Sequence, residues 1–256
     1  MSFVLLRKFF KKNAVLYWSF IAGMVVYLLL LIFLYPVISA IDPDNVPMGG
    51  GHMDFGDIGV FTGSMMADIT GLIGVILFVM LAFRLAFRPI ERGHLSAYLL
   101  CGISRKKYII TACSYLLLSL AIVWVILLGL SFSIFAIMGE SFVWYNFMAV
   151  VSLSVLSLAA ITFLSFFLGI LLAGKRSAAG LMIAVPIALV LLFTFSFFHS
   201  SIEWLRWLSI IGWFLHGDVA TGSFGLWWLV ALAYVLIVAG GFIASIFIFK
   251  KKNLSL

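Results

Sequence analysis

The sequence has little charge, few prolines and few cysteines. Only 10% of its 256 residues are Asp, Glu, Lys or Arg, and it holds five prolines and two cysteines. A soluble domain carries about 25% charged residues, so this composition excludes an ordinary soluble fold. Cys101 and Cys113 match no disulfide or metal motif, and we interpret them as small apolar residues.

Catalytic signatures are also missing from the sequence. It has no His-Glu-x-x-His, no Gly-x-Ser-x-Gly and no paired Cys motif. Residues 169–175, GILLAGK, satisfy Gly-x-x-x-x-Gly-Lys, but Arg176 stands where a Ser or Thr must bind magnesium. We therefore expect no enzyme activity and no cofactor or metal bound by this chain. The possible soft-metal ligands of one loop are interpreted as scattered loop residues: Met48, His52, Met53, Met65 and Met66.

What the sequence has instead is long apolar runs, since 65% of its residues are hydrophobic. Crossing about 30 Å of hydrocarbon takes a helix of about 20 residues, and an unbroken apolar run satisfies its own backbone hydrogen bonds in lipid only as a helix. The sequence predicts an all-α integral membrane protein with one transmembrane domain over residues 1–256. The six predicted spans are about 14–38, 69–88, 109–138, 147–173, 180–198 and 226–249.

The charged residues divide between the two sides of these spans. All but Arg206 of the sixteen cations fall on one side, and all but Glu91 of the nine acids fall on the other. Because Lys and Arg near span ends stay in the cytoplasm, we expect a multi-pass protein of the bacterial cytoplasmic membrane with both termini cytosolic. The cations are scattered at span ends and form no groove, so we expect contact with membrane lipids and no nucleic-acid partner.

Two segments outside the spans have helical patterns of their own. Residues 3–12, FVLLRKFFKK, place their cations on one face, which predicts an N-terminal amphipathic helix lying in the inner interface before the chain turns at Asn13. The alternative is a set of plain flanking charges. The Trp-rich region between spans 5 and 6 predicts an outer re-entrant region of short helices, broken at Gly212 and Gly217.

Residues 91–108, ERGHLSAYLLCGISRKKY, form a basic stretch between spans 2 and 3. The pattern predicts a short helix that ends at Gly102, followed by Ser104 as the N-cap of span 3. A solvated loop is the alternative. A group of large apolar side chains favours a surface that a partner covers: Leu95, Tyr98, Leu99 and Leu100.

The same stretch resembles a motif of ABC-2 type transporter permeases. Its Glu91-Arg92-Gly93-His94-Leu95, Tyr98-Leu99-Leu100 and Ile103-Ser104-Arg105-Lys106-Lys107 are similar to Glu-x-Gly-Thr-Leu, Leu-Leu and Pro-[Val/Ile]-Ser-Arg-x-Lys of that family. His94 replaces the usual Thr, and Gly102 replaces the usual Pro. The layout of six spans with WLSIIGWFLHGDVATG before the last one also resembles the family.

The resemblance implies the membrane subunit of an ATP-driven exporter. In that family the stretch is the coupling helix, which docks in a cleft of an ATPase subunit. The implied partners are two copies of that ATPase, which would bind ATP and magnesium, and a second permease copy or a related permease. The implied partner-binding residues are Glu91, Gly93, Leu95, Tyr98, Leu99, Leu100, Ser104 and Arg105.

The apolar spans suit an amphipathic or hydrophobic cargo such as a peptide, a lipid or a drug. Alternative functions are an ATP-independent membrane carrier, an intramembrane enzyme, and a small immunity or accessory protein. The sequence shows neither polar groups converging at one depth, as an enzyme needs, nor repeats with broken helices, as a carrier needs.

Overall fold

Six long helices dominate the structure. The computed structural model describes residues 2–38, 62–63, 67, 70–91, 93, 95, 98, 100, 102–138, 144–174, 177–196, 200–213, 218–219, 222 and 224–251, and every regular element within these ranges is a helix. Six helices are long and apolar enough to cross a membrane, which is the architecture of a multi-pass membrane protein. They are α1 (Phe3–Ile38), α2 (70–91), α3 (Arg105–Met138), α4 (Trp144–Leu171), α5 (Ala178–Phe195) and α6 (Trp227–Lys251). The predicted spans are confirmed as helices, and apart from the start of α1 their bounds differ by a few residues.

The first helix is continuous, so the predicted turn at Asn13 is wrong. Asn13 is buried, and its side-chain Nδ2 donates a hydrogen bond to the Phe9 carbonyl one turn earlier, at 3.1 Å. The side chain is therefore used inside the helix and does not end it. The amphipathic pattern of residues 3–12 is real, but Leu5 and Phe9 on its apolar face are buried in the protein core.

That apolar face packs on the start of α3. The Phe9 ring lies 5.8 Å from the Tyr108 ring and 6.0 Å from the Tyr115 ring, both in edge contact. The backbone N–H of Ser2 donates to the Thr111 hydroxyl at 2.9 Å. The start of α1 is thus fixed to α3 by side-chain packing and by a hydrogen bond.

Helix α2 is irregular along its length. It consists of a π-helix (Thr70–Gly74), an α-helix (Val75–Ala82), a second π-helix (Phe83–Phe87) and a last α-helical turn (Arg88–Glu91). The Tyr108 hydroxyl of α3 donates to the Leu85 carbonyl inside the second π-helix, at 2.9 Å. This bond ties the irregular backbone of α2 to α3.

Helix α4 is the most buried of the six and packs against α2, α3, α5 and α6. Its buried hydroxyls donate to carbonyls of the same helix at 2.7 to 2.8 Å, so they leave the helix surface apolar for packing. Glycine allows two close approaches: a Cβ at Gly169 would lie 2.8 Å from the Met182 sulfur of α5, and a Cβ at Gly241 of α6 would lie 3.3 Å from the Phe163 Cβ.

Contacts between helix ends bring the basic residues together. The starts of α1 and α3 meet at Ser2 and Thr111, the end of α6 meets α3 where the Phe249 and Tyr108 rings lie 6.5 Å apart, and Gly169 near the end of α4 adjoins Ala86 of α2. We call this the basic end. Its described cations are Arg7, Lys8, Lys11, Lys12, Arg84, Arg88, Arg105, Lys106, Lys107, Lys250 and Lys251.

The opposite end of the bundle is rich in aromatic side chains. At the starts of α4 and α6, the Tyr145 and Trp227 rings lie 5.8 Å apart. The Trp144 ring lies 4.3 Å from Phe132 of α3. Trp and Tyr favour the level of lipid headgroups. We call this the aromatic end.

The segment between α5 and α6 is made of short helical pieces, as predicted: Ser200–Ile202, Leu205–Leu208 and Ile211–Trp213. The break falls at Ser209, whose backbone is extended, and not at Gly212, which lies inside the last piece. A Cβ at Gly212 would lie 2.4 Å from the Arg206 carbonyl oxygen, so this glycine serves a close backbone approach. Gly217 lies outside the described residues.

This segment folds back along the neighbouring helices. The Ser209 hydroxyl donates to the Leu189 carbonyl of α5 at 2.7 Å. The Tyr234 hydroxyl of α6 donates to the Ile210 carbonyl at 2.6 Å. Leu189 and Tyr234 each lie about 10 Å along their helices from the aromatic end, at about 1.5 Å of rise per residue, so the segment dips between α5 and α6.

Candidate partner-binding site

The segment between α2 and α3 is bounded by two glycines in left-handed backbone conformations. Gly93 has φ 68° and Gly102 has φ 79°, and a side chain strains this conformation. The Ile103 N–H donates to the Tyr98 carbonyl at 3.2 Å across Gly102, which is the closing bond of a Schellman helix end. The predicted helix stop at Gly102 is therefore confirmed.

The predicted cap of α3 is confirmed as well. The Lys107 N–H donates to the Ser104 hydroxyl at 3.3 Å, and the Tyr108 N–H donates to the Ser104 carbonyl at 3.0 Å. Ser104 thus satisfies N–H groups that a helix start leaves without intrahelical partners. Arg105 is the first residue of α3 and is half-buried.

Two of the predicted surface residues point into the chain itself. Leu95 is 1% exposed and belongs to the main hydrophobic core. Tyr98 is half-buried, with its ring 5.7 Å from the Tyr108 ring of α3 and the Lys8 Nζ of α1 5.0 Å from its ring centre. Leu95 therefore does not lie on an exposed apolar ridge. With Tyr98 it fastens the segment to α1 and α3.

Other residues of the segment face outward. Leu100 is helical and 88% exposed, and Glu91, Gly93 and Ser104 are exposed as well. Leu99 lies outside the described residues. A leucine this exposed, next to the cations at the start of α3, is the one large apolar group of the described part of the segment that another protein could cover.

The remaining sequence candidates do not form a site within the described residues. No group of three or more His, Cys, Asp or Glu side chains in the described ranges could hold a metal ion. Cys113 is buried with its thiol free. Gly169 lies inside α4 and is packed against α5. The Met and His residues of the loop after α1, with Lys175 and Arg176, lie outside the described residues.

A buried polar cluster at the basic end was not anticipated from the sequence. Arg84 is half-buried, and its Nη1 donates to the Asn13 Oδ1 at 3.4 Å. Tyr115 and Ser119 of α3 are fully buried beside them, and the Tyr17 hydroxyl donates to the Ser119 carbonyl at 2.7 Å. We call these residues of α1, α2 and α3 the Arg84 cluster. In the sequence this cluster is marked by Asn13 and Arg84, two polar residues that lie next to apolar runs. Spacing along the chain does not show that they meet.

Comparison of the chain with protein-family models, with curated proteins and with solved structures finds no match.

Proposed function

We propose that the chain is the permease subunit of an ATP-driven transporter of the ABC-2 type. The observation that supports the proposal is how the segment between α2 and α3 is packed. Leu95 and Tyr98 fasten it to the bundle, while Leu100 stands exposed on it. A coupling element needs both properties, because it must contact a partner on one side and move the spans on the other.

The contacts of Tyr98 suggest how movement would pass into the bundle. A partner that pushes on Leu100 would also move the Tyr98 ring, which contacts Lys8 of α1 and Tyr108 of α3. Tyr108 is bonded to the π-helical part of α2 through Leu85. The push would therefore reach three helices at once. The partner must contact the two states of the bundle differently, since equal binding shifts no equilibrium.

The charge distribution supports a cytosolic position for this segment. The described cations other than Arg206 lie at the basic end, and exposed Trp204, Trp207 and Trp228 belong to the aromatic end. Cations near span ends favour the cytoplasm. We therefore place both termini and the segment in the cytosol of a bacterial cytoplasmic membrane, where ATP is available to a partner.

The proposed assembly contains two ATPase subunits and a second permease, identical or related. ATP and magnesium would bind to the ATPase, and the permease would supply the path. The proposed cargo is an amphipathic or hydrophobic molecule such as a peptide, a lipid or a drug. The buried hydroxyls of α4 fit an apolar path, because each donates its proton to a carbonyl of its own helix and has none left to donate to a polar cargo.

The proposal is tested by replacing the exposed leucine, Leu100→Asp. An ATPase of the cassette type, identified by its Walker A motif, should co-purify with the wild-type chain from native membranes. Burying a leucine contributes about 1.5 to 3 kcal/mol, so the variant should bind that ATPase at least about tenfold more weakly. Leu100→Asp that keeps the ATPase at wild-type yield would contradict docking at this residue.

Val4→Asp is the matched control, because Val4 is 82% exposed near the basic end but lies outside the segment. This variant should keep the ATPase. Leu95→Asp is not a suitable probe, since Leu95 is buried and its loss would damage the fold before any interface.

An ATP-independent carrier is the second candidate, and the Arg84 cluster is the observation that favours it. Carriers place polar and ionisable groups inside the bundle along the substrate path. Proteoliposomes that hold the purified chain alone, with no ATPase, would distinguish the two candidates. Cargo movement down an imposed gradient would favour the carrier, and no movement without the ATPase would favour the permease.

A further inference from the structure

Arg84 lies deep in the basic end and has no acidic partner among the described residues. It precedes the end of α2 by about 10 Å, at about 1.5 Å of rise per residue, and it is half-buried. The acidic residues of the described part are Glu91, Glu203 and Asp218, and none of them forms an ion pair with Arg84. Within the described part of the chain, its guanidinium makes one hydrogen bond, to the neutral amide of Asn13 at 3.4 Å.

Within the described residues, the Arg84 guanidinium has more N–H donors than it has acceptors in contact. A guanidinium carries several N–H donors and no acceptor. The Asn13 amide nitrogen donates to the Phe9 carbonyl, which leaves the Asn13 oxygen as the acceptor for Arg84. The buried hydroxyls of Tyr115 and Ser119 make no hydrogen bond of good geometry within the described structure, and each can donate as well as accept. A cluster with this surplus fits an anion, which supplies acceptor oxygens and the missing negative charge.

We propose that Arg84 binds a phosphate oxyanion at the junction of α1, α2 and α3. The planar guanidinium matches phosphate oxygens with paired hydrogen bonds. Basic sites between spans on the cytoplasmic side are suited to anionic headgroups. The phosphate belongs either to an anionic lipid or to free phosphate. This site does not depend on the proposed transport function.

The decisive variants are Arg84→Gln and Asn13→Asp. The first removes the cation. The second keeps Arg84 and supplies a carboxylate of nearly the same shape at the observed 3.4 Å position, which should pair with Arg84 and displace the ligand, although the hydrogen bond to the Phe9 carbonyl is lost. Arg88→Gln is the matched control, because Arg88 lies one turn further along α2, is exposed and contacts the Phe83 ring.

The first arm uses detergent-purified protein and native mass spectrometry with phosphatidylglycerol and, separately, phosphatidylcholine. Wild type and Arg88→Gln should retain phosphatidylglycerol, while Arg84→Gln and Asn13→Asp should bind it at least about tenfold more weakly, as expected when a hydrogen bond to a charged group is lost. The second arm measures the thermal unfolding of each variant in neutral lipid with inorganic phosphate. A phosphate-dependent rise in Tm for wild type that both variants lack supports the site with free phosphate as its ligand.

Two results overturn the proposal. One is that neither phosphatidylglycerol nor phosphate distinguishes wild type from an Asn13→Asp or Arg84→Gln variant that unfolds cooperatively. The other is that Arg88→Gln loses as much binding as Arg84→Gln, because the basic end would then attract anions without any particular site.

Discussion

At the scale of single residues, two leucines five positions apart have opposite environments. Leu95 is 1% exposed in the core, and Leu100 is 88% exposed on the same short segment. The difference assigns them different roles. Leu95 stabilises the chain, and Leu100 is available to a partner.

Truncation of the two leucines should separate these roles. Leu95→Ala should lower the free energy of unfolding by about 2 to 5 kcal/mol, because it leaves a cavity in the core. Leu100→Ala should change it by less than about 0.5 kcal/mol. Thermal unfolding in detergent measures both, and equal losses would contradict the observed burial.

A second prediction concerns Gly212. Gly212→Ala places a Cβ 2.4 Å from the Arg206 carbonyl oxygen, so the segment between α5 and α6 must shift. We expect a loss of at least about 1 kcal/mol in unfolding free energy. Gly225→Ala is the control, because a Cβ there meets nothing within 4 Å. Its Tm should stay near that of wild type, and a similar loss in both variants would count against the close approach.

The sequence could not predict these residue environments. Helical spacing shows that Leu95 and Tyr98 share a face of the segment. It does not show what covers that face, which in the structure is the core of the same chain. Asn13 was predicted to mark a turn because Asn favours helix ends, and a hydrogen bond to the Phe9 carbonyl overrides that preference. Gly212 is required because the chain folds back so that its backbone approaches that of Arg206. No sequence pattern predicts this approach.

At the scale of elements, hydropathy was sufficient to find the six helices, because apolar length is a property of each segment alone. The Gly102 stop and the Ser104 cap were also predictable, since both depend on local backbone chemistry. The π-helical parts of α2 were not, because they have no sequence signature comparable to a glycine stop. The second of them is supported by a hydrogen bond from another helix.

That support gives a prediction for α2. Tyr108→Phe removes the hydroxyl that donates to the Leu85 carbonyl and leaves a buried carbonyl without this donor. We expect a loss of about 1 to 3 kcal/mol, seen as a lower Tm and as faster hydrogen exchange at residues 83–87. Tyr145→Phe is the control, because Tyr145 is exposed at the aromatic end. Unchanged exchange in Tyr108→Phe would mean that the bond does not hold the π-helix.

At the scale of the whole molecule, the basic and aromatic ends define a direction across the membrane. The exposed apolar faces of α1, α5 and α6 are explained by lipid contact, since α5 and α6 pack on the more buried α4 and α1 packs on α2 and α3. The described cations, Arg206 apart, lie at one end, and the segment with Leu100 lies there too. The account therefore requires this end to be cytosolic.

Labelling of introduced cysteines tests that direction. In a background of Cys101→Ala and Cys113→Ala, Trp204→Cys should react with a membrane-impermeant maleimide on intact cells. Leu100→Cys should react only after permeabilisation. Both positions are exposed, so a difference in labelling reports the side of the membrane, and the reverse pattern would invert the topology.

The most direct test of the central claim is photo-crosslinking from position 100. A photoreactive amino acid at Leu100 is activated in native membranes, with the same substitution at Val4 as a control for general proximity. We expect an adduct at position 100 with a protein that carries a Walker A motif and hydrolyses ATP, and little adduct at position 4. The account is contradicted if position 100 gives no protein adduct, or gives adducts only with proteins that lack a nucleotide-binding motif.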